Sequence, residues 1–255
     1  MELLKNKRIG KILFIVEGGK HEFTLIKRIF CDILGYKRIE KRRNKATYYV
    51  SNTDSHSVVA VINTKISNIE SINEKEYLEN IFCELIEKYS FDVTNAAIYY
   101  IFDRDSESNK NVKLIEELIK SLKNSRENDD SMMGGMLILS YPSIEAFEVS
   151  NFIDNTYKID AKLGADVKEL ITDNAKYISL NKINEETIIH AYNELKKYIK
   201  TKEIDFDIDN YLEINVSAFN EEEQYYKKND TYFLLSLMSC VLLDLGILRE
   251  SEEED

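Results

Sequence analysis

Ile98-Tyr99-Tyr100-Ile101-Phe102-Asp103-Arg104-Asp105 is the stretch on which the reading of this chain turns. Five consecutive apolar or aromatic residues run straight into two carboxylates separated by one residue. A short apolar run of this kind, bounded by polar residues and followed by a helical pattern, predicts a strand buried on both faces. In an open α/β sheet, ligands bind outside the carboxyl ends of the strands, which is where Asp103 and Asp105 fall. An i, i+2 pair leaving a strand aims both carboxylates toward one side. Two adjacent carboxylates repel unless a hard cation such as Mg²⁺ neutralises them.

The pattern extends outward from that stretch. Residues 9–16 (IGKILFIV) read as a central strand running into Glu17-Gly18-Gly19. A helix follows over 20–34, with Phe23, Ile26, Ile29, Phe30 and Ile33 on one face and Gly35 as its terminator. Beyond a basic loop at 37–45, residues 47–51 and 57–63 read as a strand hairpin turning through Asn52-Thr53-Asp54. Residues 72–89 predict a helix with Tyr77, Ile81, Phe82, Leu85 and Ile86 facing inward, and 110–123 a second amphipathic helix. Met136 to Leu139 predicts a further strand. It leads to Ser140-Tyr141-Pro142-Ser143-Ile144-Glu145, where a helix starts with Glu145 in its first turn. From about residue 151 the alternation stops, and 166–171, 184–200 and 230–248 look helical. These elements predict an α/β fold with a mainly parallel sheet flanked by helices over 1–152. A mostly helical region spans 153–249, and 250–255 is an acidic, disordered tail.

Composition narrows the function classes. The apolar fraction of 44%, with 16 Tyr and 11 Phe, describes a packed globular protein. No run approaches the ~18–20 apolar residues of a membrane span, and the N-terminus lacks the apolar core of a signal peptide. Cys31, Cys83 and Cys240 form no C-x-x-C or Cys/His pattern. They read as reduced core thiols of a cytoplasmic protein. The net charge of -12 conceals an asymmetry: residues 1–50 carry 13 Lys/Arg and 5 Asp/Glu, the remainder 21 and 41. A globally acidic chain is not what non-specific phosphate binding selects. A basic segment, densest at Lys37-Arg38-Ile39-Glu40-Lys41-Arg42-Arg43-Asn44-Lys45, can still hold a polyanion.

Three expected strands end in carboxylates: Glu17, then Asp103 and Asp105, then Glu145. Parallel strands put these ends on one edge, and an oxygen-rich cluster suits Mg²⁺ or Mn²⁺. The histidines (His21, His56, His190) are scattered, with His21 near enough to Glu17 to reach the site. Glu148 reads as a surface acid, and Tyr141 and Phe147 as core aromatics. No phosphate-binding loop spacing, dinucleotide fingerprint or G-x-S-x-G elbow is present.

A strand ending in Glu-Gly, a helix, and a later strand ending in Asp-x-Asp resemble the Toprim domain of topoisomerases, primases and OLD-family nucleases. The carriers are Ile12-Leu13-Phe14-Ile15-Val16-Glu17-Gly18 and Tyr99-Tyr100-Ile101-Phe102-Asp103-Arg104-Asp105. Glu22, five residues after Glu17, and the Ser140–Glu145 segment are similar to RloB-like proteins of phage-defence operons. His21 departs from the Thr usual there. The resemblance covers about residues 10–152. It implies a nuclease in which Glu17 is the general acid/base and Asp103 and Asp105 hold Mg²⁺ or Mn²⁺. Glu22 and Glu145 would complete a site with room for two metals. Lys20, beside the acids, would join the catalytic apparatus, and Arg104 would contact phosphate oxygens. Arg38, Lys41, Arg42 and Arg43 would hold DNA or RNA backbone, and a separately encoded ATPase would be the partner, with self-association possible.

Two other functions fit the same residues. Asp-x-Asp after an apolar strand also begins haloacid-dehalogenase-type phosphatase sites, although there it sits on the first strand. A docking or regulatory subunit with a dormant site, using the tyrosine-rich C-terminal region to bind its partner, is the non-enzymatic alternative.

Overall fold

Apolar β-branched runs form the centre of the molecule because each can be buried on both faces by helices. The computed structural model describes residues 1–39, 47–64, 68–93, 95–127 and 134–250. In chain order, β1 (Lys11–Val16) leads to α1 (Lys20–Lys27), which continues as a π-helical stretch, Arg28–Ile33. Gly35, at φ +74°, ends it in the left-handed conformation that favours glycine. Then come β2 (Tyr36–Ile39), β3 (Thr47–Ser51), β4 (Val58–Asn63), a 3₁₀ turn (Ile69–Asn73) and α2 (Lys75–Tyr89). The strand β5 (Ala96–Asp103), α3 (Val112–Ser121), β6 (Gly135–Tyr141) and α4 (Glu145–Ser150) complete the first half. The second half holds α5 (Gly164–Asp173), α6 (Glu185–Thr201), α7 (Tyr211–Asn229), β7 (Leu235–Ser236) and α8 (Met238–Asp244).

The main sheet runs β7-β6-β5-β1-β4-β3-β2. Its centre, β4-β1-β5-β6, is parallel, while β2, β3 and β7 join antiparallel. The two-residue strand Lys123–Asn124 pairs antiparallel with β6. Val16 pairs with Ile101 and Asp103 with Ser140, so the carboxyl ends of β1, β5 and β6 lie on one edge. The chain leaves β1 for β4 on one side and then crosses to β5 on the other. That reversal is the switch point at which open α/β sheets form crevices. Ile12 to Val16 and Ala96 to Phe102 are all buried, so both faces of the central strands are covered.

The mainly parallel sheet, its flanking helices and the hairpin agree with the sequence; several details differ. Residues 36–39 form an edge strand where a basic loop was expected to begin. Ile86 is 47% exposed instead of inward, and Cys83 is exposed, so of the three cysteines only Cys240 is a fully buried thiol. The expected helix over 230–248 is instead a short strand (Tyr232–Phe233), β7 and the two-turn α8. Helix α7 was not foreseen because its inner face carries Asn215, Glu222 and Glu223, which interrupt the apolar stripe that periodicity detects. Position 152 is no break in the core. One buried apolar cluster runs from Leu3 to Leu248, and β7 completes the sheet begun by the first half. The acidic tail, residues 251–255, lies outside the described residues. Glu250 is tied down by Tyr192 and Lys196. Among the described residues no helix is long and apolar enough to cross a membrane.

Helix α7 also explains Arg104. Successive strand residues point to opposite faces, so Arg104 leaves the sheet away from Asp103 and is buried under α7. Its Nε donates to Glu223 at 2.7 Å, one of its terminal nitrogens (Nη1) donates to the Asn109 carbonyl at 2.9 Å, and Phe219 and Tyr232 face the guanidinium. Arg104 is therefore a structural residue and not a nucleic-acid contact. Beside it, Glu222 is fully buried, with one oxygen accepting the Phe233 N–H at 2.9 Å. Burial pushes its carboxyl up to about 8, against the opposing pull of the Phe233 N–H and Lys202. A folded value above the ordinary one means stability is full below about 4.5 and is lost as pH rises toward 8. Glu222→Gln is therefore expected to raise the melting temperature at pH 8–9, by the equivalent of a few kcal/mol at most, and to change little at pH 4.5. Parallel melting curves for the two proteins across that range would contradict this.

Candidate functional site

The end of β1 places Glu17 beside the end of β5. The Glu17 N–H continues the ladder to the Ile101 carbonyl at 3.1 Å, and Glu17 Oε2 accepts the Asp103 N–H at 2.9 Å. Asn109, buried on the loop after β5, fixes the pair. Its Nδ2 donates to the Asp103 carbonyl at 2.7 Å and lies 3.3 and 3.4 Å from the two Glu17 oxygens. Its Oδ1 accepts the Ile69 N–H at 2.8 Å. Asp103 Oδ1 accepts the Ile144 N–H at 2.8 Å, tying β5 to the start of α4. Ile144 follows a cis Tyr141–Pro142 peptide that turns the chain out of β6.

Glu22 and Glu145 bring two more buried carboxylates. Glu22, in the first turn of α1, accepts the Gly18 N–H at 3.0 Å. A Cβ at Gly18 would meet that carboxylate, so a side chain there would displace Glu22 from its present position. Glu145 opens α4 and is 2% exposed; its Oε2 has no hydrogen-bond partner. Its Oε1 lies 3.4 Å from Lys168 Nζ and 3.6 Å from His21 Nδ1. Glu148, one turn along α4, is also buried and lies 3.3 Å from His21 Nε2. It is not the surface acid that the sequence suggested. Residues at i and i+3 share a helix face, and this is the signal that links Glu148 to Glu145.

Burial dominates the electrostatics. It raises the Glu17 carboxyl to about 7, with Glu22 and Asp105 adding to the rise and the Asp103 N–H and Asn109 opposing it. Asp103 is held well above its ordinary value by burial and then by Glu17, Glu145 and Glu22. Glu148 rises to about 7 for the same first reason. Burial keeps the His21 imidazole below its ordinary value despite the attraction of Glu145. Taking charge out of water is costly, so burial favours the protonated forms of Glu17 and Asp103.

These groups line one cavity of about 720 Å³. Glu17, Asp103 and Glu145 form its floor, Ile144, Ile171 and Leu180 an apolar wall, and Lys20 and Lys168 stand at its mouth. The other sequence candidates lie elsewhere. Asp105 does not line the cavity: its Oδ1 accepts the Glu107 N–H at 2.7 Å and its carbonyl accepts the Asn109 N–H, an Asx-type turn that draws it aside. Arg38 is exposed on the edge strand β2, three strand spacings or ~14 Å from β1. Lys41, Arg42 and Arg43 lie outside the described residues. Asn109, Glu148, Lys168 and the apolar wall escaped sequence reading. Asn109 sits in an ordinary Ser/Asn loop, and the wall comes from residues remote in the chain.

An oxygen-only donor set with an orphaned Glu145 oxygen and raised carboxyl values fits a hard divalent cation. The oxygens have to draw together on such an ion. Among the described residues, the three ligand types that do lie within 4.8 Å of one another are Asp154, His190 and Glu194. That cluster already has its cation: Lys197 Nζ lies 3.1 Å from Asp154 and 2.5 Å from Glu194. Glu194 also accepts the Thr156 N–H, and His190 Nδ1 is hydrogen-bonded to the Ser150 carbonyl. It is a satisfied ion-pair network. Comparison with protein-family models, with curated proteins and with solved structures gives no match for the chain.

The clamp role of Asn109 makes a graded expectation. Asn109→Ala strands the Ile69 N–H and the Asp103 carbonyl and should cost about 1–3 kcal/mol in urea unfolding. Asn109→Asp should be worse at pH 8, where a further carboxylate faces Glu17, and should recover toward pH 5 as it takes up a proton. A pH-independent Asn109→Asp, or an Asn109→Ala as stable as wild type, would contradict the clamp.

Proposed function

We propose that the chain is a divalent-metal-dependent phosphodiesterase of the Toprim type that cuts nucleic acid. One observation carries this: four carboxylates, the buried Glu17, Glu22 and Glu145 and the half-buried Asp103, line one cavity at the carboxyl edge of parallel strands. Among the described residues lining that cavity, the lysines are Lys20 and Lys168, and His21 lies beside Glu145. Raised carboxyls in a cleft, here Glu17 and Asp103, make a functional-site candidate. Mg²⁺ or Mn²⁺ held there would polarise the scissile phosphate and stabilise the leaving oxygen.

The protein residues divide the remaining work. Asp103 and Glu145, with Glu22 on the same cavity, would hold the cation. Glu17, braced by the Asp103 N–H and Asn109, is placed to move a proton at its carboxylate. Lys20, exposed at the mouth, is positioned for a phosphate oxygen. The phosphatase alternative is weakened because Asp105, its required second acid, is turned into a loop hydrogen bond. The dormant-subunit alternative leaves the buried acids without a purpose. Action in phage defence with an ATPase partner rests on the resemblance of the Glu17-Gly18, Asp103–Asp105 and Ser140–Glu145 segments alone.

The direct test is cleavage of labelled plasmid, single-stranded DNA and total RNA in Mg²⁺, Mn²⁺ or EDTA. Cutting should require the metal and fall about 10²–10⁴-fold in Glu17→Gln, with a comparable loss in Asp103→Asn. Cutting that survives EDTA or both substitutions would overturn the proposal. So would absence of cutting together with no Mn²⁺-linked rise in melting temperature.

A further inference from the structure

The acids lie at the bottom of a recess, and the second half of the chain makes it one. An acid-lined sheet edge alone would be open to any phosphate backbone. Here Ile171 on α5 and Leu180 on the following turn line the same cavity as Glu17 and, with Ile144, give it an apolar part. Its volume of about 720 Å³ is in the range that encloses a small organic ligand.

That shape selects among nucleic acids. A duplex presents phosphates on its outer ridges with the bases stacked inside. A phosphate drawn to Glu17, Asp103 and Glu145 brings its nucleoside against the apolar side chains that line the same cavity. Extracting that nucleoside costs a few kcal/mol in a duplex and little in an unpaired strand. The apolar side chains of Ile144, Ile171 and Leu180 offer a surface for a sugar and base, whereas a bare phosphate backbone has no use for them.

A second feature lies on the same loop, independent of the cavity. Tyr177 is 65% exposed, the most exposed large apolar side chain among the described residues. Its neighbour Ile178 is buried and anchors the loop, two residues before Leu180. Lys176 Nζ sits 5.5 Å from the Tyr177 ring centroid. An aromatic ring in water beside an ammonium is the pairing that stacks bases and steadies their phosphates in single-strand binding.

We infer that the substrate is a single-stranded polynucleotide, with one nucleotide inserted into the recess and its neighbour stacked on Tyr177. This rests on the nuclease reading above and adds the strandedness and the contact that reads it. The basic stretch at 37–45 is not needed for it, because Lys20 and Lys168 line the cavity and Lys176 sits beside the Tyr177 ring.

The test is fluorescence anisotropy in Ca²⁺ with labelled dT12, rU12 and a 12-base-pair DNA duplex. Wild type should bind one or both single strands at least tenfold tighter than the duplex, and the dT12 and rU12 arms separate DNA from RNA. Tyr177→Ala, at an exposed position, should weaken single-strand binding about 5- to 50-fold, while Tyr177→Trp restores it. Leu180→Glu, placing a carboxylate on the wall, should weaken single-strand binding further, with its melting temperature checked in parallel. Equal affinity for duplex and single strands, or Tyr177→Ala within twofold of wild type, would overturn the inference. If metal-dependent plasmid cleavage persists in that case, the nuclease reading survives alone. If no oligonucleotide binds and Mn²⁺ leaves the melting temperature unchanged, both fall.

Discussion

Two neighbouring strand-end acids, Glu17 and Asp103, tied together through the Asp103 backbone N–H, set the terms for the rest of this molecule. Glu17 accepts the backbone N–H of Asp103, and Asn109 bridges Glu17 to the Asp103 carbonyl. The arrangement is possible because β1 and β5 are adjacent and parallel, with β5 running two residues past the end of β1 so that Asp103 comes beside Glu17. It is costly because burial pushes both carboxyls above their ordinary values, with Glu22 and Asp105 adding to the rise at Glu17 and Glu17 to that at Asp103. Glu22 and Glu145 add to the repulsion. The fold therefore maintains a charge-poor crevice lined by acids, a state that a divalent cation would relieve and that the sheet alone would not favour.

The second half of the chain gives this crevice its rigidity and its shape. Helix α7 sends Glu223 to Arg104, and that buried pair, with the Asn109 carbonyl as the third partner, fixes the loop that carries the clamp. Breaking one partner of such a pair typically costs 3–5 kcal/mol because the other charge is left buried. Strand β7 extends the sheet past β6, and α5 with the 178–180 turn raises the apolar wall. A core shared by both halves makes the division near residue 152 a change in composition and not in packing.

Much of this was legible in the sequence, and the exceptions have physical causes. The apolar runs 12–16 and 98–102 identified the central strands, and the acids following them, Glu17 and Asp103, reach one cavity with Glu145 as expected. Asp105 and Arg104 were misplaced for opposite reasons. A strand-end aspartate competes for its own turn hydrogen bonds, and the intervening residue points to the opposite face, where a partner 119 positions away, Glu223, was invisible. Helix α7 was hidden because function-like polar residues occupy its inner face. The wall residues, Ile171 and Leu180, look like any helix and turn until tertiary packing sets them over the acids.

A crystal grown in Mn²⁺, with anomalous scattering collected at the manganese edge, tests the central claim most directly. A peak bounded by the carboxylates of Glu17, Asp103 and Glu145, with those oxygens drawn inward, is the result this account predicts. A peak at Asp154, His190 and Glu194 with Lys197 displaced, and none at the strand ends, would contradict it.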